Sequence, residues 1–120
     1  MTAPAPRRIC ARMSSPDTLA RLEATIATRL GADPDSSYVA RLKAKGTGKI
    51  AQKLGEEATE TVIAALTESR EALVGEAADL VFHLMVLLAD RDVPLADVMA
   101  ELDRREGTSG IAEKAARPKD

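Results

Sequence analysis

Five carboxylates stand in two short groups along the chain: Glu56, Glu57 and Glu60, then Glu76 and Asp79. Apart from the adjacent Glu56 and Glu57, the spacing within each group is three or four residues, which puts side chains on one face of a helix. The chain holds one histidine, His83, and one cysteine, Cys10. That scarcity removes most zinc sites, an internal disulfide framework and any nucleophilic network using more than one imidazole. Oxygen donors alone suit a hard divalent cation, Mg²⁺ or Mn²⁺. Such a cation, held by carboxylates and keeping some waters, handles polyphosphates. It bridges phosphate oxygens, stabilises departing pyrophosphate and lowers the pKa of the water that attacks. Upstream, Lys43, Lys45 and Lys49 surround Gly46 and Gly48, and Lys53 follows one turn later. These supply cations and flexible backbone N–H groups for phosphate. The stretch is not a P-loop, because its spacing differs and no strand precedes it. An exposed basic turn accounts for it equally well.

The elements that position these groups follow from composition and spacing. In 120 residues, 45% are apolar and only 2% aromatic, Tyr38 and Phe82 being the aromatics. A core built from Leu, Val, Ile, Ala and Met favours packed helices over a β-sandwich. Ser15-Pro16-Asp17 reads as a helix start, Leu19, Leu22, Ile26 and Leu30 recur at helical spacing, and Gly31 supplies the stop. A capped turn over 32–37 leads to a short helix carrying Tyr38, Val39 and Leu42, broken at Lys45-Gly46-Thr47-Gly48. A long helix then runs from Lys49 to about Leu66, with Ile50, Leu54, Ala58, Val62, Ala65 and Leu66 on its apolar side. Ser69 is placed to cap a second long helix from Arg70 to about Ala89, and so short a link implies an antiparallel hairpin. Leu73, Val74, Leu80, Val81, Leu84 and Leu87 make that second helix apolar almost all round, so it should be buried on most of its circumference. After the turn Arg91–Pro94, a last amphipathic helix carries Leu95, Val98, Met99 and Leu102 and closes at Gly107. The expected fold is all-α, an antiparallel bundle of four to five helices spanning 15–117, with residues 1–14 as an N-terminal tail.

On the first long helix Lys49, Lys53, Glu56, Glu57 and Glu60 share one arc, which for that helix alone reads as a solvated face. On the second, Glu76, Asp79 and His83 form a narrow polar stripe. Two carboxylates on a mostly buried helix carry a large desolvation cost unless neutralised, and like charges one turn apart repel. Lys53 can offset one of them; a divalent cation resolves the rest. Antiparallel packing brings Glu76 and Asp79 level with Glu56 and Glu60, because both groups lie at similar distances from the link. Gly75 weakens its helix by about 1 kcal/mol relative to Ala, a cost that a close helix contact there would offset.

Glu56-Glu57-x-x-Glu60 followed by Glu76-x-x-Asp79 resembles the signature of the all-α nucleoside triphosphate pyrophosphohydrolases, the MazG-like superfamily. Flanking stretches narrow the resemblance to the phosphoribosyl-ATP pyrophosphohydrolase family: Ser37-Tyr38 to Lys45-Gly46, Lys49-Ile50 to Lys53, Leu80 with His83-Leu84, and Arg104-Arg105-x-Gly107-x-Ser109-Gly110. The resemblance implies hydrolysis of 1-(5-phosphoribosyl)-ATP between its α and β phosphates, releasing 1-(5-phosphoribosyl)-AMP and pyrophosphate. It implies Glu57, Glu60, Glu76 and Asp79 as Mg²⁺ ligands and Glu56 as a further ligand or the base that orients water. Lys43, Lys45, Lys49 and Lys53 become candidate phosphate contacts. Arg104, Arg105 and Lys114 either reach the phosphoribosyl phosphate or form an exposed basic helix end. Tyr38 either flanks the adenine or serves a core or an interface, and His83 is expected as a hydrogen-bonded buried histidine rather than a ligand.

An all-round apolar helix is more than four or five helices can cover, so an obligate dimer packing the Leu73–Leu88 faces together is expected, as the resemblance also implies. No cyclohydrolase module follows, so the next enzyme of histidine biosynthesis would be a separate chain. Net charge is −2, which gives no overall basic footprint for nucleic acid. The basic leader (Arg7, Arg8, Arg12) has no apolar segment behind it, and Leu80–Ala89 is too short a run to span a bilayer, so a cytoplasmic location is expected. A ferritin-like di-metal bundle would need two Glu-x-x-His pairs and is excluded by the lone histidine. A non-catalytic helical module, or a house-cleaning nucleotide hydrolase of the same superfamily, remain the alternatives.

Overall fold

Gly46 is a tight joint between two helices, with φ of 100°. Its N–H donates to the carbonyls of Leu42 and Lys43, and its own carbonyl accepts from Lys49 and Ile50. One residue therefore closes one helix and opens the next. The positive φ suits glycine because it has no Cβ to clash. The expected four-residue break shrinks to this one position, and the first long helix begins at Thr47 rather than Lys49.

The structure is a computed structural model and describes residues 17–107 together with 110, 114, 115 and 117. The N-terminal tail, the Ser15-Pro16 cap and Ser109 lie outside those residues. Regular structure among the described residues is helical throughout: α1 (Asp17–Leu30), α2 (Tyr38–Lys45), α3 (Thr47–Thr67), α4 (Arg70–Asp90) and α5 (Leu95–Arg105). The all-α expectation holds. Ser37 caps α2 by accepting from the Ala40 N–H at 3.1 Å, and Ser69 caps α4 by accepting from Ala72 at 3.0 Å. Two residues past the end of α4, Asp92 has a left-handed φ of 57°, and the Val93 N–H reaches back to the Leu88 carbonyl.

α3 and α4 form the antiparallel hairpin and the most extensive helix contact; α1 packs on α4 and α2, and α2 on α3. The core is Ile26, Val39, Leu42, Ile50, Met85 and Val86, so it lies where α1 and α2 cover one end of the hairpin. α5 is tied on by the Leu95 N–H, which donates to Glu23 of α1 at 2.7 Å.

None of the described residues covers the other end of the hairpin. Val62, Ala65 and Leu66, expected on the buried side of α3, are exposed, as are Val74, Val81 and Leu84 of α4. The expected burial of α4 over most of its circumference is therefore not achieved among the described residues, because α1 and α2 stop short of the tip. Gly75 likewise has no neighbour among the described residues: a Cβ there would meet nothing within 4 Å, so the expected close contact is not seen among them. At 21 residues, α4 is also long and apolar enough to cross a membrane, contrary to the expectation drawn from Leu80–Ala89. Glu76 and Asp79 near its middle would then cost about 3 kcal/mol each in hydrocarbon.

Candidate active site

The face that α3 turns toward α4 reads Ile50, Leu54, Glu57, Thr61, Ala64, so an acid stands in the middle of an otherwise apolar and small row. Glu57 is buried, at 8% exposure, rather than part of a solvated face. Beside it the Thr61 hydroxyl lies 2.8 Å from the Glu57 carbonyl and 3.1 Å from the Glu76 carbonyl, pinning the two helices together at the level of the acids. Thr61 carried no signal in the sequence, since a threonine inside a helix is unremarkable until its cross-helix partner is known.

Glu57, Glu76 and Asp79 converge: one carboxylate oxygen from each lies within 4.8 Å of the other two. Glu57 Oε1 and Glu76 Oε1 are buried without a hydrogen-bond partner among the described residues. Burial first, then the carboxylates of Glu60, Asp79 and Glu57, push the Glu76 pKa up. A hard divalent cation would satisfy the orphaned buried oxygens and relieve the repulsion, and the all-oxygen donor set fits one. Glu60 is exposed and acts on Glu76 from the edge of the group; it is not one of the three whose oxygens converge.

Glu56 is exposed and held apart from this trio. Its two oxygens accept from Gln52 Nε2 at 2.8 Å and Lys53 Nζ at 3.1 Å, and those bonds, Gln52 first, keep its pKa below the usual carboxylate range. Lys53, only partly exposed, bears on Glu57 and on the Tyr38 hydroxyl as well, and Lys49 bears on Glu56. Both lysines therefore flank the acids. Lys45, the last residue of α2, is exposed. Lys43 is engaged elsewhere: its Nζ lies 2.9 Å from Asp90 Oδ1, while the Thr47 hydroxyl donates to Asp90 Oδ2 at 2.6 Å. Asp90 is three turns beyond Asp79, about 16 Å along α4.

Arg104 and Arg105 both bond Glu101 on their own helix, at 2.7 to 3.0 Å, and draw its pKa down to about 2. α5 packs only sparsely on the rest of the fold, so these arginines stand as an ion-paired helix end rather than beside the acids. Lys114 is exposed. Tyr38, about half exposed, places its hydroxyl 2.9 Å from His83 Nε2, and His83 Nδ1 lies 2.8 Å from the Asp79 carbonyl. His83 is thus the buried, hydrogen-bonded histidine expected.

The chain has close relatives in sequence. Residues 19–106 match the family model described as phosphoribosyl-ATP pyrophosphohydrolase. The phosphoribosyl-ATP pyrophosphatase of Rhizorhabdus wittichii is 72% identical over 102 residues, covering 85% of this chain and 96% of that protein. That of Novosphingobium aromaticivorans is 70% identical over 105 residues, covering 88% and 98%. That of Zymomonas mobilis is 60% identical over 105 residues, with the same coverage of 88% and 98%. With an all-α hairpin carrying the two acidic groups, a match over most of its length and relatives this similar, the chain belongs to the phosphoribosyl-ATP pyrophosphohydrolase family.

Proposed function

We propose that the protein hydrolyses 1-(5-phosphoribosyl)-ATP to 1-(5-phosphoribosyl)-AMP and pyrophosphate, the second step of histidine biosynthesis. The carrying observation is the convergence of Glu57, Glu76 and Asp79 around two buried, unpartnered oxygens in a chain so similar to phosphoribosyl-ATP pyrophosphatases. Bound Mg²⁺, with Mn²⁺ as a substitute, supplies Lewis acidity and neutralises charge on the phosphates. Glu57, Glu76 and Asp79 hold it, and Glu60 completes the set from the rim. Glu56, kept ionised by Gln52 and Lys53, orients the attacking water and takes its proton as the bond between the α phosphorus and the bridging oxygen breaks. Lys53 and Lys49 meet the phosphates, with Lys45 behind them. Lys43 would have to release Asp90 to join them, and Arg104 and Arg105 would have to release Glu101 to reach the phosphoribosyl phosphate.

The same reading covers partners. The exposed apolar surface of α3 and α4 is met by a second copy, giving a homodimer with its α4 faces packed together; acids in mid-helix disfavour lipid as the cover. The domain spans 15–117, works in the cytoplasm and delivers its product to a cyclohydrolase. The test is pyrophosphate release from phosphoribosyl-ATP, dATP and dUTP with and without Mg²⁺. Mg²⁺-dependent release from phosphoribosyl-ATP alone is expected. Rapid cleavage of dATP or dUTP with phosphoribosyl-ATP untouched would replace the proposal with a house-cleaning activity.

A further inference from the structure

The chain contains one tyrosine, one phenylalanine, one histidine and no tryptophan, and the three rings are packed together beside the acids. Tyr38 and Phe82 are stacked at 6.3 Å between centroids, and His83 meets both edge-on at 5.7 and 5.2 Å. A backbone carbonyl can only accept, so the 2.8 Å contact between His83 Nδ1 and the Asp79 carbonyl puts the ring proton on Nδ1. In the neutral ring Nε2 is then an acceptor, and the Tyr38 hydroxyl donates to it at 2.9 Å. A continuous chain of hydrogen bonds thus runs from the half-exposed first residue of α2, through a buried histidine, to the main chain of an acidic site residue.

We propose that Tyr38 is a positioning residue for the carboxylate centre, acting through His83 on the main chain of Asp79. The inference rests on the metal reading above. The Asp79 carbonyl belongs to the turn of α4 that ends at His83, and its second lone pair takes the ring N–H. The tie therefore fixes both the pitch of that turn and the seat of α2 against it. Tyr38 borders the acids closely enough for Lys53, Glu57, Glu56 and Asp79 all to act on its hydroxyl. A carboxylate trio spread over two helices binds a cation well only when its oxygens are held to within about 0.5 Å, and the bonds behind the ligands do that holding.

Tyr38→Phe removes the donor and keeps the ring, including its stack on Phe82, so loss of base stacking or of apolar packing is not what it measures. Mn²⁺ binding by calorimetry is expected to weaken about tenfold in Tyr38→Phe and in His83→Phe, with helical circular dichroism unchanged. A second readout needs no substrate: the chain's tyrosine emission comes from Tyr38 alone, since there is no other tyrosine and no tryptophan. Mg²⁺ added to the parent protein should change that emission, and the change should be lost in His83→Phe, where the tie is cut but the distance kept. Equal Mn²⁺ affinity in parent and both variants would overturn this inference while leaving the metal reading intact. Weaker binding only together with lost helical signal would assign the pair to folding alone and overturn it too. No Mn²⁺ binding by the parent would overturn the metal reading itself and this inference with it.

Discussion

At the C-terminal end of α4 the side chain of Asp90 is almost wholly buried, and each of its oxygens has a donor, Lys43 on one and Thr47 on the other. Three turns earlier on the same helix, Glu76 and Asp79 face Glu57 with no ion pair to the trio among the described residues and with two oxygens left bare there. The first carboxylate is answered from within the chain, by groups on α2 and α3, and its pKa is drawn down. Among the described residues the second level has only Lys53 bearing on Glu57 from the side, with no donor on the two bare oxygens, and the Glu76 pKa is pushed up. Buried acid with its own counter-charge ties helices together; buried acid without one is a place for an outside cation.

The hardest test of that contrast is to remove charge at the unanswered level. Glu60→Gln and Asp79→Asn are each expected to slow pyrophosphate release about a thousandfold, close to 4 kcal/mol of barrier, with helical circular dichroism unchanged. Retained activity would make these acids structural. Next in size, Mg²⁺ at a hundred times its dissociation constant should stabilise the parent by about 2.7 kcal/mol, read as a rise in thermal midpoint. Glu76→Gln should lose that rise while melting higher than the parent in the absence of metal, because the repulsion is gone.

At the answered level the signs reverse. Asp90→Asn should destabilise by about 1–3 kcal/mol in urea titrations, yet leave turnover per folded molecule close to that of the parent. Its pH dependence separates the two levels further. The Thr47 hydrogen bond, then Lys43, hold the folded Asp90 pKa below its unfolded value, so its contribution is complete above the ordinary carboxylate range and is lost as pH falls through the folded pKa. The parent should therefore lose more stability than Asp90→Asn between pH 5 and pH 2 by urea midpoint, a window of about this width following from linkage. The smallest effect belongs to the turn just beyond: Asp92→Gly, relieving a left-handed backbone, should stabilise by up to about 1 kcal/mol.

The helices were readable because Leu19 to Leu30, the Ser69 cap and the two long apolar runs obey local rules that need no partner. The acidic groups were readable for the same reason, being three- and four-residue patterns. The fate of each acid was not. Glu56 and Glu57 are neighbours in sequence, yet one is held outward by Gln52 and Lys53 and the other is buried against α4, a distinction set by where a second helix lies. Asp90, Thr61 and the engagement of Lys43 were invisible because their partners lie 15 to 47 residues away. The apolar tip of the hairpin was legible as surface needing cover, but composition alone does not say which chain provides it.

Gly46 bears on how this protein can vary in length. The joint between α2 and α3 is a single residue, with hydrogen bonds committed on both sides, so it has no slack. One residue inserted there would turn α2 by about 100° about its axis, carrying Tyr38 away from His83 and Lys43 away from Asp90. The link at 31–37 between α1 and α2 spans seven residues and can take up the same insertion as a wider loop. Tolerance to insertion should therefore be sharply lopsided about α2, permissive before its first residue and close to nil after its last.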